Sequence, residues 1–145
     1  MIEVNYMTQN VEMPVFNHDA VRDWILEVAA RHGKRVGRLT YVFCDDAYIL
    51  ATNKQYLGHD YYTDIITFDY SNSHRLSGDM VISLDTVKSN AEQFAPDYEH
   101  ELMRVIIHGV LHLCGINDKG PGEREVMERN ENEALSILPE NVFEA

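Results

Sequence analysis

Residues 97–118 leave this chain little choice of local structure. From about Asp97 onward, Leu102, Val105, Ile106, Gly109 and Leu113 recur at helical spacing, which predicts a helix with one face in the core. His108 and His112 are four apart, so they project from one side of that helix, one turn apart. Gly115 comes three residues later, where a left-handed residue readily ends a helix. The chain can then turn back and bring Asp118 toward the two imidazoles. Two histidines and a carboxylate held this way can bind one metal ion and leave a fourth tetrahedral position open, as in a catalytic zinc site.

The spacing of H-G-V-L-H-L-C-G-I-N-D, residues 108–118, matches the H-x-x-x-H-x-x-G-x-x ligand pattern of metzincin peptidases. Zinc suits a set of two imidazoles and one carboxylate, and Fe(II) with open positions suits it too. Cys114 lies two residues past His112, about 200° around the helix from it, and is predicted to be a small buried apolar residue rather than a ligand. The residue after the first histidine is Gly109 and not the glutamate that serves H-E-x-x-H enzymes as general base. A glycine there costs about 1 kcal/mol of helix propensity relative to alanine, and its physical use is a close approach by another chain or a substrate.

The remaining pattern predicts an α+β layer fold of about four strands and about five helices, as one domain over residues 1–145. Residues 2–6 and 11–16 alternate as short strands. Val21, Trp24, Ile25, Val28 and Ala29 mark a helix that starts at Asn17 or His18-Asp19 and stops at Gly33. Strands follow at 36–44, 63–69 and 79–84, with a short helix from Asp45-Asp46 to about Tyr56 ended by Gly58, and a polar turn at 71–77. Further helices are predicted from about Asp85 to Phe94, stopping before Pro96, from near Asp97, and over roughly 122–138.

The formal net charge of −12 opposes easy binding to phosphate backbones, which relies on Lys and Arg. The nearest approach to a basic patch is Arg31, Lys34, Arg35 and Arg38, which also suits a helix C-terminus. The acidic excess is uneven, and residues 123–145 are strongly acidic. No apolar run approaches the ~18 residues of a membrane span. The first residues lack the basic and apolar regions of a signal peptide, and two cysteines make no disulfide framework. A cytoplasmic location is the expectation.

Three blocks together resemble the YbeY family of bacterial rRNA maturation factors. Residues 108–118 resemble its H-G-x-L-H-L-x-G-x-x-[H/D] signature. N-K-Q-Y-L-G-H-D-Y-Y-T-D-I-I-T-F, Asn53 to Phe68, resembles its N-x-x-Y-R-x-x-D-x-x-T-[DN]-V-L-S-F segment, and S-G-D-M-V-I-S-L-D-T-V, Ser77 to Val87, resembles its L-G-D strand. The resemblance runs in order from about residue 17 to 138. It implies a small mixed sheet and one zinc ion held by His108, His112 and Asp118. It also implies single-strand endoribonuclease activity in maturing the 3′ end of 16S rRNA, in ribosome biogenesis and in ribosome quality control. The implied partners are precursor 16S rRNA and the small ribosomal subunit, with ribosomal proteins or assembly factors delivering the substrate.

The chain departs from the family pattern twice. Asp118 stands where most members have a third histidine, and Leu57 stands where the family usually has an arginine proposed to engage RNA phosphate. An apolar side chain makes no charge-assisted bond to phosphate. Thr63 and Asp64 read as turn residues, and the sequence names no general base. Two rival readings follow from the same residues. One is a metallohydrolase of another class, such as a peptidase. The other is a non-enzymatic assembly factor whose metal only braces the fold.

Overall fold

The computed structural model describes residues 2–59, 63–94 and 97–144. Its strands are β1 (Glu3–Gln9), β2 (Arg35–Cys44), β3 (Ile65–Asp69) and β4 (Arg75–Ser83). Its helices are α1 (His18–Arg31), α2 (Asp46–Thr52), α3 (Leu84–Phe94), α4 (Tyr98–Leu113) and α5 (Glu123–Ser136). The expected α+β class is correct. The sheet is mixed, in the order β1-β2-β4-β3, with β1, β2 and β4 parallel and β3 antiparallel to β4.

Local chemistry sets most of the boundaries. The Asn17 side chain accepts from Ala20 N at the start of α1, Asp45 accepts from Tyr48 N at α2, and Asp97 accepts from Glu99 N at α4. Gly33 after α1 has φ +74° and Gly58 after residues 53–57 has φ +68°, conformations that glycine adopts at low cost. The helix expected to run to Tyr56 is α2 only to Thr52, and Asn53–Leu57 widen into a π turn. Residues 11–16, expected as a strand, form none. Asn10 turns the chain away at φ +65°, and Pro14 has no N–H for a ladder. Asp60–Tyr62 of the family-like block, and the Pro96 stop, lie outside the described residues.

One face of the sheet packs against α1 and α4, burying Trp24, Ile25, Leu39, Tyr41, Met80, Ile106 and Ile107 in a continuous core. Removing side chains of this size from water stabilises the fold by about 1.5–3 kcal/mol each. Two buried hydrogen bonds fix how the helices sit. The Tyr41 hydroxyl donates to Ile106 O at 3.0 Å, fastening α4 to β2. The Trp24 indole donates to Ala134 O at 2.9 Å, fastening α5 to α1. A smaller cluster of Cys44, Ile49, Ile66 and Val81 fills the opposite side of the sheet under α2.

Gly109 explains how closely α4 approaches the sheet. A Cβ there would stand 2.9 Å from Met80 Cγ and 3.1 Å from Ile65 Cδ1. Ordinary carbon contacts begin near 3.5 Å. The expected close approach is therefore to β3 and β4, and a glutamate at this position has no room.

Candidate metal centre

His108 and His112 sit on α4 as expected, both half-buried. The helix ends in a paired reverse turn in which Gly115 N donates to His112 O at 3.0 Å and Ile116 N donates to Leu111 O at 3.1 Å. Gly115 takes φ +98°, which reverses the chain. The returning loop brings Asp118 Oδ2 to 3.4 Å from His108 Nε2. That distance exceeds the 2.7–2.9 Å typical of a charge-assisted hydrogen bond.

The opposite side of the His108 ring is held by a residue that sequence reasoning missed. Glu131 on α5 is 8% exposed, and its Oε2 lies 2.7 Å from His108 Nδ1. A carboxylate only accepts, so Nδ1 carries the hydrogen and the neutral ring keeps its lone pair on Nε2, toward Asp118. Arg104, one turn before His108 on α4, donates from Nη1 to Glu131 Oε1 at 2.9 Å and from Nη2 to Asn132 Oδ1 at 2.9 Å. Arg104, Glu131, His108 and Asp118 thus form one chain of contacts across α4, α5 and the 115–120 loop. No motif marks Glu131 in the sequence; only its helical spacing from Met127 and Ala134, the other buried positions of α5, points inward.

Asp64, expected as a turn residue, lies just before β3 within electrostatic reach of His108. Burial raises its pKa, and the nearby imidazole only partly offsets this. Glu101 is also pushed up by burial, against the pull of Arg104, with Asp64 and Glu131 adding repulsion. For His108, burial pulls the pKa down, but the Glu131 hydrogen bond and the charges of Glu131, Asp118 and Asp64 outweigh it, and the net shift is upward. Several carboxylates share this small space with one guanidinium. Such a setting attracts a cation.

Among the described residues, no three His, Cys, Asp or Glu side chains are already gathered as a metal cage. The structure brings His108 and Asp118 together, with His112 one helical turn away on α4. Cys114, expected to be buried, is half-buried at the end of α4. Burial pushes its thiol up to about 11, so it stays protonated at neutral pH. His74 lies in the β3–β4 turn and lines a separate hollow with Arg35 and Arg75. Leu57 is 46% exposed beyond α2.

Fold and site define an α+β protein with a histidine–carboxylate centre at the end of its longest helix. The sequence profile described as Endoribonuclease YbeY matches residues 3–139. A relative named Endoribonuclease YbeY from Phocaeicola vulgatus is 62% identical over 135 residues, covering 93% of this chain and 98% of the relative. One of the same name from Porphyromonas gingivalis is 49% identical over 142 residues, covering 98% and 94%. The solution structure of TM1509 from Thermotoga maritima has a TM-score of 0.64 at 22% identity, over 92% of this chain and 87% of that one, and shares the fold. The chain belongs to the endoribonuclease YbeY family. Membership makes it an enzyme of a family named for hydrolysing RNA.

Proposed function

We propose that this chain, as a single domain over residues 1–145, is a zinc-dependent single-strand endoribonuclease. Its substrate is precursor 16S rRNA, and its roles are 3′-end maturation, ribosome biogenesis and ribosome quality control in the cytoplasm. His108, His112 and Asp118 hold the one zinc ion. The observation that carries this reading is the His108–Asp118 geometry. Two donors sharing a tetrahedral zinc at about 2.0–2.1 Å each stand about 3.3–3.4 Å apart. The Nε2 to Oδ2 separation is 3.4 Å, and Glu131 holds the ring in the tautomer a metal needs. When bound, zinc supplies Lewis-acid polarisation of a phosphoryl oxygen and lowers the pKa of water.

The chain's own groups do the rest. Glu131 and Arg104 hold His108 in orientation, and Asp118 brings negative charge to the mouth of the site. Asp64, whose carboxyl burial holds above its usual pKa, adds a further acidic group within electrostatic reach of His108. The peptidase reading loses support at Gly109, where Met80 and Ile65 occupy the space a general-base glutamate would need. Ribosomal proteins or assembly factors present the RNA, since the chain carries a net charge of −12.

The test is to map 16S rRNA 3′ ends in cells whose only copy carries His112→Ala, at protein levels matched to the unmutated copy. Accumulated extended precursor is expected. Normal ends would refute the assignment of this site to rRNA maturation.

A further inference from the structure

The sheet concentrates positive charge at one place on this acidic protein. No Asp or Glu occurs between Glu27 and Asp45, or between Asp69 and Asp79. Those two stretches hold Arg31, Lys34, Arg35, Arg38 and Arg75, five of the chain's 12 Lys and Arg. Folding brings them together: Arg35 and Arg75 are register partners on parallel strands β2 and β4. Arg35 N donates to His74 O at 3.0 Å, and Lys34 Nζ donates to Ser73 O at 2.9 Å.

The result is a shallow hollow, open to the surface. Gly33, Arg35, Asn72, Ser73, His74 and Arg75 line it, and Arg35, His74 and Arg75 are exposed. The turn is held rigid because Asn72 Oδ1 accepts from His74 N at 2.9 Å and Arg75 N at 2.8 Å. Arg31 pairs with Glu27 and Arg38 with Glu3 at the margins. Among the described residues, Arg35 and Arg75 have no carboxylate partner. Like charges directly opposite one another on neighbouring strands repel. An anion in the hollow offsets that repulsion.

A second shallow groove shares Arg75 with the first. Arg75 lies across Gly37, where a Cβ would stand 2.7 Å from Arg75 Cδ, so glycine is what lets the arginine lie flat on the sheet. Tyr70 and Arg38 line this groove with Arg75, and Glu3 and Asp79 are its acids. Tyr70 is 66% exposed, an aromatic face open to stacking. Cations that track a backbone beside an exposed aromatic ring are the elements of single-stranded nucleic acid binding.

We propose that this surface is an exosite for single-stranded RNA, with phosphodiesters in the Arg35–His74–Arg75 hollow and a base stacked on Tyr70. It rests on the endoribonuclease reading above and adds a second contact for the same substrate. Ile82, which pairs with Ile65 beside Asp64, lies seven residue steps along β4 from Arg75. At about 3.3 Å per residue the exosite lies about 23 Å along the strand from that end of the site. It therefore grips flanking nucleotides rather than the scissile bond.

The test measures binding of a fluorescently labelled single-stranded oligoribonucleotide by anisotropy, with EDTA present to prevent cleavage, over a series of salt concentrations. Arg35→Ala/Arg75→Ala is expected to weaken binding about tenfold or more at low salt. It should flatten the plot of log affinity against log salt by about 1.4, at about 0.7 per single-strand phosphate contact. Tyr70→Ala is expected to weaken binding about fivefold or more without changing the slope, because stacking releases no counterions. Thermal unfolding of each variant checks that it folds, and Lys88→Ala serves as a charge-loss control. Affinity and slope equal to the unmutated protein would overturn the exosite. Full displacement of RNA by millimolar inorganic phosphate would overturn it in favour of a free-anion pocket. Loss of concentration-dependent self-association in place of RNA affinity would overturn it in favour of an acidic segment of a second copy. Normal RNA binding by the arginine variants, with extended 16S precursor in His112→Ala cells, would sink the exosite alone. Normal 16S ends in those cells would sink the functional reading instead.

Discussion

Replacing Glu131 separates the part of this site that binds metal from the part that only holds the fold. In Glu131→Ala the Arg104 guanidinium keeps Asn132 but loses its carboxylate at 2.9 Å, and His108 Nδ1 loses its acceptor at 2.7 Å. Removing one member of a fully buried ion pair costs about 3–5 kcal/mol. Here the Arg104 side chain is one-third exposed, so water recovers part of that and about 2–3 kcal/mol is expected. In a domain of this size this corresponds to a fall of roughly 6–12 °C in the unfolding midpoint of the metal-free protein. The second consequence is independent of the first. With no partner on Nδ1, the His108 ring rotates and exchanges tautomers, and zinc affinity should drop about 10–100-fold. Glu131→Gln keeps the shape but offers one carbonyl oxygen to two donors, so it should fall between the two. Zinc affinity is read by competition with a chromophoric chelator, and stability by thermal unfolding in EDTA. A Glu131→Ala protein that loses the expected stability but binds zinc within threefold of the unmutated chain would refute the orienting role. Glu131 would then be a brace between α4 and α5 and nothing more.

Gly109→Ala improves helix propensity by about 1 kcal/mol but forces a methyl against Met80 and Ile65, an overpacking cost of about 1–3 kcal/mol. The variant should be less stable in urea, and a gain in midpoint would contradict the close approach. Asp64 has a folded-state pKa raised above its unfolded value, so folding favours its protonated form. That contribution is present below the unfolded pKa and is lost as pH rises through the folded one. Asp64→Asn should therefore raise the unfolding midpoint of metal-free protein at pH 7.5, with the difference shrinking in the acid carboxylate range; a destabilised variant at pH 7.5 would reverse the sign of the argument. Burial pushes Cys114 up to about 11 and Cys44 up to about 12. Iodoacetamide at pH 8 should modify both far more slowly in folded than in unfolded protein, as mass spectrometry would show, and rapid modification of folded Cys114 would count against its environment as described.

Periodicity and caps carry their information locally, which is why α1, α4 and the Gly115 turn were legible from residue spacing alone. Asn17, Asp97 and Gly115 satisfy backbone groups within a few residues of themselves. The failures also have local causes. Alternation at 11–16 resembled a strand, but Asn10 turns the chain away and Pro14 cannot donate. Residues 53–57 read as continued helix, yet they widen to five-residue spacing before Gly58. Glu131 and Asp64 escaped notice for a different reason: neither carries a motif, and one looked like a solvent-facing glutamate and the other like a turn residue.

The α+β class, the helix bearing His108 and His112, its stop at Gly115 and membership of the endoribonuclease family could all be read from the order of residues. Each depends on short-range chemistry or on a linear pattern. Three features came into view only in the folded chain: Gly109 packs against β3 and β4, Glu131 locks His108 from another helix, and Arg35 meets Arg75 across two strands. These contacts join residues 23 to 44 positions apart. No local propensity encodes them, because they exist only once burial of the shared core has brought the helices and strands together.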